Sequence, residues 1–163
     1  MRVYHGSLER VPTPEIRETT RGLDYGSGFY TTTSAKQAED WVRKRMENFH
    51  TLKGYVNEYE LDLEILKQFN CAFFNSPSEE WLDFVMNNRL DRHFTHNYDV
   101  VYGPVANDRV YTCFALYEGG VLSKSNLIAE LKTYRLVDQY LFHTEPALKA
   151  LTFVAATEIL WAK

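Results

Sequence analysis

Three short stretches carry residue types able to hold a flat, polar ligand. In His5-Gly6-Ser7 an imidazole sits next to a position without a side chain, so a ring and an open backbone can face one ligand. Gly26-Ser27-Gly28-Phe29-Tyr30 sets an aromatic ring just beyond a glycine-rich turn, and Trp41 follows eleven residues after Tyr30. Two such rings can bracket a planar heterocycle. Core packing is the competing reading for Tyr30 and for Trp41, because Trp41 lies beside the apolar stripe of a predicted helix.

The elements that must position these residues follow from periodicity. Arg2 to Tyr4 reads as a short opening strand, followed by a loop through Pro12 and Pro14 and the turn-rich GLDYGSG at 22–28. Phe29 to Thr32 is strand-like. Ser34 with Gln37 three residues on forms a capping box, so a helix starts near Ala35. Ala38, Trp41 or Val42, Met46 and Phe49 share one face of it, opposite Lys36, Glu39, Arg43 and Lys44. Gly54 to Asp62 alternates as a strand. Ser76-Pro77-Ser78-Glu79 reads as an N-cap, a proline at the first helical position and an acidic third position, opening a helix with Trp81, Leu82 and Val85 that ends near Arg89.

The second half reads as mostly sheet. YDVVYG at 98–103 and RVYTCFALY at 109–117 are expected to pair as a hairpin through a turn from Pro104 to Asp108. A short helix is expected at Ser125 to Tyr134, a strand at 138–143, one or two helical turns after Thr144, and a final strand at 151–161. Changing periodicity without an internal repeat predicts an α+β fold in one domain over 1–163, a length that buries a full core.

A net charge of −4 and a pI near 5.7 argue against a broad basic face for nucleic acid, although Arg43, Lys44 and Arg45 form a small basic cluster. Aromatic residues make up 15% of the chain, enough both to fill a core and to stack on ligands. Cys71 and Cys113 read as reduced thiols, the N-terminus lacks a secretory pattern, and no apolar run approaches a membrane span, so the expected address is the cytoplasm. His93, His96 and His143 lack metal-ligand spacing, and no metal site is expected. No P-loop or Rossmann fingerprint occurs. Asp24 reads as an Asx-turn residue, Asn88 and Arg89 as a helix end, and Asp108 as a turn residue; Asp99, inside a strand, keeps a substrate-facing role open.

His5-Gly6-Ser7, then Gly28-Phe29-Tyr30, then an aromatic eleven residues on, resembles the His–Tyr class of ADP-ribosyltransferases, which includes diphtheria toxin and the poly-ADP-ribose polymerases. VYHGS, LDYGSGFYTT, WLDFVMNNR, YDVVYGPVAND and DQYLFHTEPAL extend the resemblance, over almost the full length, to a bacterial family of domains assigned to that superfamily and often encoded beside a small partner in toxin–antitoxin pairs. The resemblance implies a split β-sheet core with flanking helices and NAD as co-substrate. His5, Gly6, Ser7, Gly28, Tyr30 and Trp41 would bind NAD: His5 at a ribose hydroxyl, Gly6 at the carboxamide, Tyr30 and Trp41 sandwiching the nicotinamide.

His5, Tyr30 and Gln139 are the implied catalytic set, and here the chain departs from the polymerases and diphtheria-type toxins it resembles, which carry a glutamate at the place analogous to Gln139. An amide keeps a hydrogen bond but supplies no charge to a developing cation. Asp138 points to the opposite face of its strand, whereas Glu145, on the next turn, is a freer carboxylate. The resemblance therefore implies mono-ADP-ribosylation of a protein or nucleic-acid acceptor by an intracellular toxin with a small antitoxin partner. A binding module for NAD or ADP-ribose without turnover is the first rival. An RNA 2′-phosphotransferase, which needs convergent Arg and His on a phosphate, is the second.

Overall fold

The computed structural model describes residues 1–17, 23–91, 93–104, 108–134 and 136–161, without the side chains of Asp108 and Arg109. The architecture is α+β. Seven strands, β1 (Arg2–Ser7), β2 (Phe29–Thr32), β3 (Lys53–Leu61), β4 (Cys71–Phe73), β5 (Val100–Pro104), β6 (Asp138–Phe142) and β7 (Leu151–Leu160), form one sheet in the order β4-β5-β6-β2-β1-β3-β7. Five α-helices, α1 (Ala35–Phe49), α2 (Leu63–Leu66), α3 (Glu79–Leu90), α4 (Asp108–Glu118) and α5 (Lys124–Lys132), and a 3-10 helix (Glu145–Ala150) flank it. Neighbouring strands are antiparallel except β4 and β5, which are parallel with α3 between them in the chain.

The sheet is uneven at its middle. β1 pairs with β3 along its whole length, from Arg2↔Glu60 to Ser7↔Tyr55, but with β2 only at Tyr4↔Thr32. Beyond Tyr4 the two strands diverge. Alternate residues at such an edge direct their main-chain N–H and C=O groups into the opening rather than to a partner.

Three apolar clusters fasten the layers. α3, α4 and α5 cover one face through Trp81, Leu82, Val85, Val110, Phe114, Leu127 and Leu131, packed on Val101 and Leu141. The other face buries Val3, Phe29, Tyr59, Phe142 and the 3-10 helix residues Ala147 and Leu148. Helix α1 lays Ala38, Val42 and Met46 against Val56, with Tyr4 alongside.

Several expectations are corrected. The 109–117 segment is helix α4, not the second arm of a hairpin, and β5 pairs with β4 and β6 instead. Val110, Cys113, Phe114 and Tyr117 recur at helical spacing and face the helical core; β-branched and aromatic composition suggested a strand, but the period decided. The second half is therefore mixed rather than mostly sheet. Residues 105–107 of the expected turn, Gly22 of the glycine-rich stretch and the side chain of Asp108 lie outside the described part.

Helix α3 is capped by Ser78, whose Oγ accepts from Trp81 N at 3.1 Å, two residues later than expected. β1 runs on to Ser7, and the short α2 and β4 were not foreseen. Ser34 does cap α1, accepting from Gln37 N at 3.2 Å. The return half of the capping box runs through Thr32, whose hydroxyl meets Gln37 Oε1 at 2.8 Å and accepts from Ser34 N at 3.2 Å. Of the residues expected on the inner face of α1, Val42 and Met46 are buried, whereas Trp41 and Phe49 are 52% and 62% exposed.

Candidate functional site

His5 lies where β1 leaves β2. Its ring stacks on Phe29, with centroids 4.4 Å apart and planes at 28°, and Nδ1 stands 2.7 Å from the main-chain oxygen of Tyr30. A carbonyl only accepts, so Nδ1 carries the proton and, in the neutral ring, Nε2 carries the lone pair. Burial pushes the imidazole down to about 4, helped by the nearby cations Arg45 and Arg17, against the opposing pull of the Tyr30 bond. His5 as a whole is half-buried. At neutral pH His5 is an uncharged hydrogen-bond acceptor of fixed tautomer.

The main chain behind it is anchored by Asn57, a fully buried residue of β3. Its Nδ2 donates to His5 O at 3.3 Å and Glu9 O at 3.2 Å, and its Oδ1 accepts from Val11 N at 2.8 Å. Sequence reasoning passed over this residue; a lone amide at an inward position of KGYVNEYEL was the available signal. Gly6 has a packing reason as well, since a Cβ there would stand 2.5 Å from Ala38 O and 3.0 Å from Val42 Cγ2 of α1. Ser7 Oγ accepts from Glu9 N at 3.2 Å and holds the turn after β1.

The glycine-rich turn is fastened from several directions. Gly26 has φ +82°, where a side chain is strained. Tyr30 Oη donates to Gly26 O at 2.7 Å, and burial raises this phenol well above its usual range. A Cβ on Gly28 would run into the Phe142 carbonyl and the Leu141 side chain, so β6 itself requires glycine there. Tyr25 is fully buried, accepts from Trp81 Nε1 at 2.7 Å and donates to Pro104 O at 2.9 Å. Asp24 forms a buried ion pair with Arg89 at 3.0 Å rather than serving only the turn.

Gln139 is 6% exposed. It stands opposite Thr32 on β2 and Gly103 on β5, on the same sheet face as Tyr30 and Leu141. Its amide lies near Tyr25 Oη. Asp138 faces the other way, accepting from Tyr102 Oη at 2.7 Å, as strand alternation predicted. Glu145 accepts from Ile16 N at 3.0 Å and thereby holds the loop before Arg17 rather than meeting Gln139. Both Asp99 oxygens are engaged, by Asn70 N at 3.0 Å and Thr144 Oγ1 at 2.9 Å, which makes it a tie between chain segments. Asn88 donates to Phe84 O at 3.0 Å and faces Gly26.

The structure therefore joins His5 only to the Tyr30 main chain: Tyr30 and Gln139 share one sheet face across β2 and β6, whereas the His5 ring, stacked on Phe29, lies on the other. Trp41 stays out of the core. Gln37, Trp41 and Arg45 follow one another at four-residue spacing along one flank of α1, while Glu39 and Arg43 take the other. Gln37 bonds Thr32 of β2, whereas Arg43 reaches Leu160 O of β7 at 3.5 Å, so the Trp41 flank lies on the side of the opening. Tyr30 and Trp41 make no ring contact with each other.

A second histidine supports the turn. His143 Nδ1 donates to Ser27 O at 2.8 Å, its ring meets His96 edge-on at 4.4 Å, and Nε2 is buried without a partner among the described residues. Burial and the neighbouring His96 push it down to about 4, while the Ser27 bond and Asp99 act in the other direction. Folded His5 and His143 stay neutral where an unfolded histidine, near 6.5, already binds a proton. Their contribution is fully present above pH 6.5 and is lost as pH falls toward 4, at about 1.4 kcal/mol per pH unit for each ring. His143→Asn, which retains a donor for Ser27 O, should remove about one such increment from the pH slope of urea stability between pH 6.5 and 4.5. An unaltered slope would show that His143 does not titrate this way. Asp24, raised by burial despite Arg89, acts in the opposite sense but is common to both proteins and cancels.

No group of three or more His, Cys, Asp or Glu that could hold a metal occurs among the described residues, and none of the described helices is long and apolar enough to cross a membrane. Cys71 and Cys113 are free thiols, the first half-buried and the second buried. The chain belongs to the family described as Protein of unknown function (DUF3990), which matches residues 1–153. No curated protein and no solved structure matches it.

Proposed function

We propose that this member of the DUF3990 family is a NAD-dependent mono-ADP-ribosyltransferase. One observation carries the reading: a neutral His5 of fixed tautomer at the point where β1 and β2 part, beside main-chain groups that the sheet does not use. Nε2 suits a ribose hydroxyl, which donates to it, and the opened edge near Gly6 suits a carboxamide, which both donates and accepts. Tyr30, Trp41, Ser7 and Gly28 would complete the nicotinamide side. Held this way, the N-glycosidic bond of NAD breaks with its electron pair leaving on neutral nicotinamide; the ribose cation is captured by a nucleophile of the acceptor, which gives up its proton. Orientation and fixed dipoles supply the rate. The toxin role, a small antitoxin partner and a cytoplasmic site of action rest on the sequence resemblance.

The binding-module reading is favoured by one feature, the burial of Gln139 against Tyr25, which withholds from the site the charge that a glutamate would bring. Incubation of purified protein with NAD, alone and with cell lysate, separates the two readings. Nicotinamide release that requires lysate and is lost in Tyr30→Ala supports a transferase. NAD binding by calorimetry without release under either condition supports the module.

A further inference from the structure

We propose that the Arg45–Phe49 segment of α1 binds the adenosine diphosphate half of the dinucleotide, Arg45 taking the diphosphate and Phe49 the adenine face. This deepens the transferase reading and rests on it. Arg45 is half-buried, yet among the described residues it has neither a carboxylate nor a hydrogen-bond partner, and its Nε is buried and unsatisfied. Other arginines are paired, such as Arg43 with Glu39 at 2.8 Å on the same helix and Arg89 with Asp24 at 3.0 Å. A guanidinium N–H withdrawn from water without a partner is left uncompensated, and a phosphate meets such donors two at a time.

Its surroundings fit a nucleotide rather than a lone anion. The Arg45 guanidinium lies over the Phe49 ring, 5.4 Å from the centroid, which fixes its plane and leaves its edge for oxygen acceptors. Trp41 precedes Arg45 by four residues and Phe49 follows by four, and both rings are largely exposed. The helix thus presents aromatic, cation, aromatic over about 12 Å of its axis. Trp41 sits on the flank beside the opening and Arg45 is close enough to His5 to depress its basicity. A dinucleotide with its nicotinamide end at His5 and Trp41 would run its diphosphate past Arg45 and bring adenine to Phe49, where base–aromatic stacking is worth about 1–3 kcal/mol. The charges are complementary.

The test is titration calorimetry of the full chain with ADP, adenosine and NAD, comparing wild type with Arg45→Ala, Arg45→Lys, Phe49→Ala and the control Lys44→Ala. ADP affinity is expected to fall at least tenfold in Arg45→Ala and several-fold in Phe49→Ala. Arg45→Lys should recover part of the loss, Lys44→Ala should match wild type, and adenosine affinity should respond to Phe49 and not to Arg45. NAD turnover with wild-type KM in Arg45→Ala would overturn this inference and leave the transferase reading intact. Arg45-dependent binding of ADP and of NAD without nicotinamide release would do the reverse. A single-stranded oligonucleotide that requires both residues while ADP binds to none of the proteins would make the stripe an acceptor groove, and overturn the inference too. Circular dichroism of each variant checks that α1 remains folded.

Discussion

His5→Ala is expected to lower nicotinamide release by at least about a hundredfold, the scale of losing one well-oriented hydrogen-bonding group in an active site. His5→Asn makes the prediction specific. Asparagine can keep a donor where Nδ1 now meets Tyr30 O, so the fold and the opening should survive, but it has no acceptor at the position of Nε2. Inactivity in a stable His5→Asn protein would mean that Nε2 touches the ligand; recovered activity would mean that His5 only props β2. The pH profile adds a second readout. Because burial holds this imidazole near 4, its contribution to kcat/KM should stay flat from pH 8 to about 5 and decline only below that. A limb titrating near 6.5 would contradict the arrangement.

Trp81→Ala should destabilise the fold by about 3–5 kcal/mol, a large part of the stability of a domain of this size. Trp81 is fully buried, packs near Phe114 with ring centroids 6.0 Å apart, and its indole N–H is the donor that satisfies Tyr25 Oη. Removing it empties the centre of the α3–α4–α5 cluster and takes a hydrogen-bond partner from the turn that carries Gly26 and Gly28. Trp81→Phe separates the two effects. It keeps most of the volume and should cost less, but Tyr25 then loses a partner, worth about 1 kcal/mol, and the turn is held less firmly. Urea unfolding followed by circular dichroism measures both. If Trp81→Ala unfolds at the wild-type midpoint, α3 does not anchor the site as described.

Most individual elements could be read in the chain because their signals are local. The cap at Ser34, the alternation of β3, the strand at 138–142 and the short turn of helix after Thr144 each depend on neighbours in sequence. The same holds for the opposite facing of Asp138 and Gln139, which strand geometry dictates. Helix α4 was misread because its aromatic and β-branched residues favour a strand locally, while the surface formed by α3, α5 and the sheet rewards the helical repeat of Val110, Cys113 and Phe114.

For the candidate site the division is similar. Residue types and spacing singled out His5, Tyr30 and Trp41, and the family resemblance added Gln139. Only the packed chain determined that Gly6 and Gly28 are required by α1 and β6, that Glu145 and Asp99 are committed to holding loops, and that Trp41 is exposed while Gln139 is buried. The protonation of His5 belongs to the tertiary structure as well. Its donor meets a carbonyl 25 residues away, Asn57 fixes its main chain from 52 residues away, and burial sets its charge. Sequence determines which groups are available and which way local geometry turns them; desolvation and long-range pairing, which exist only after the sheet has closed on its helices, decide what those groups can do.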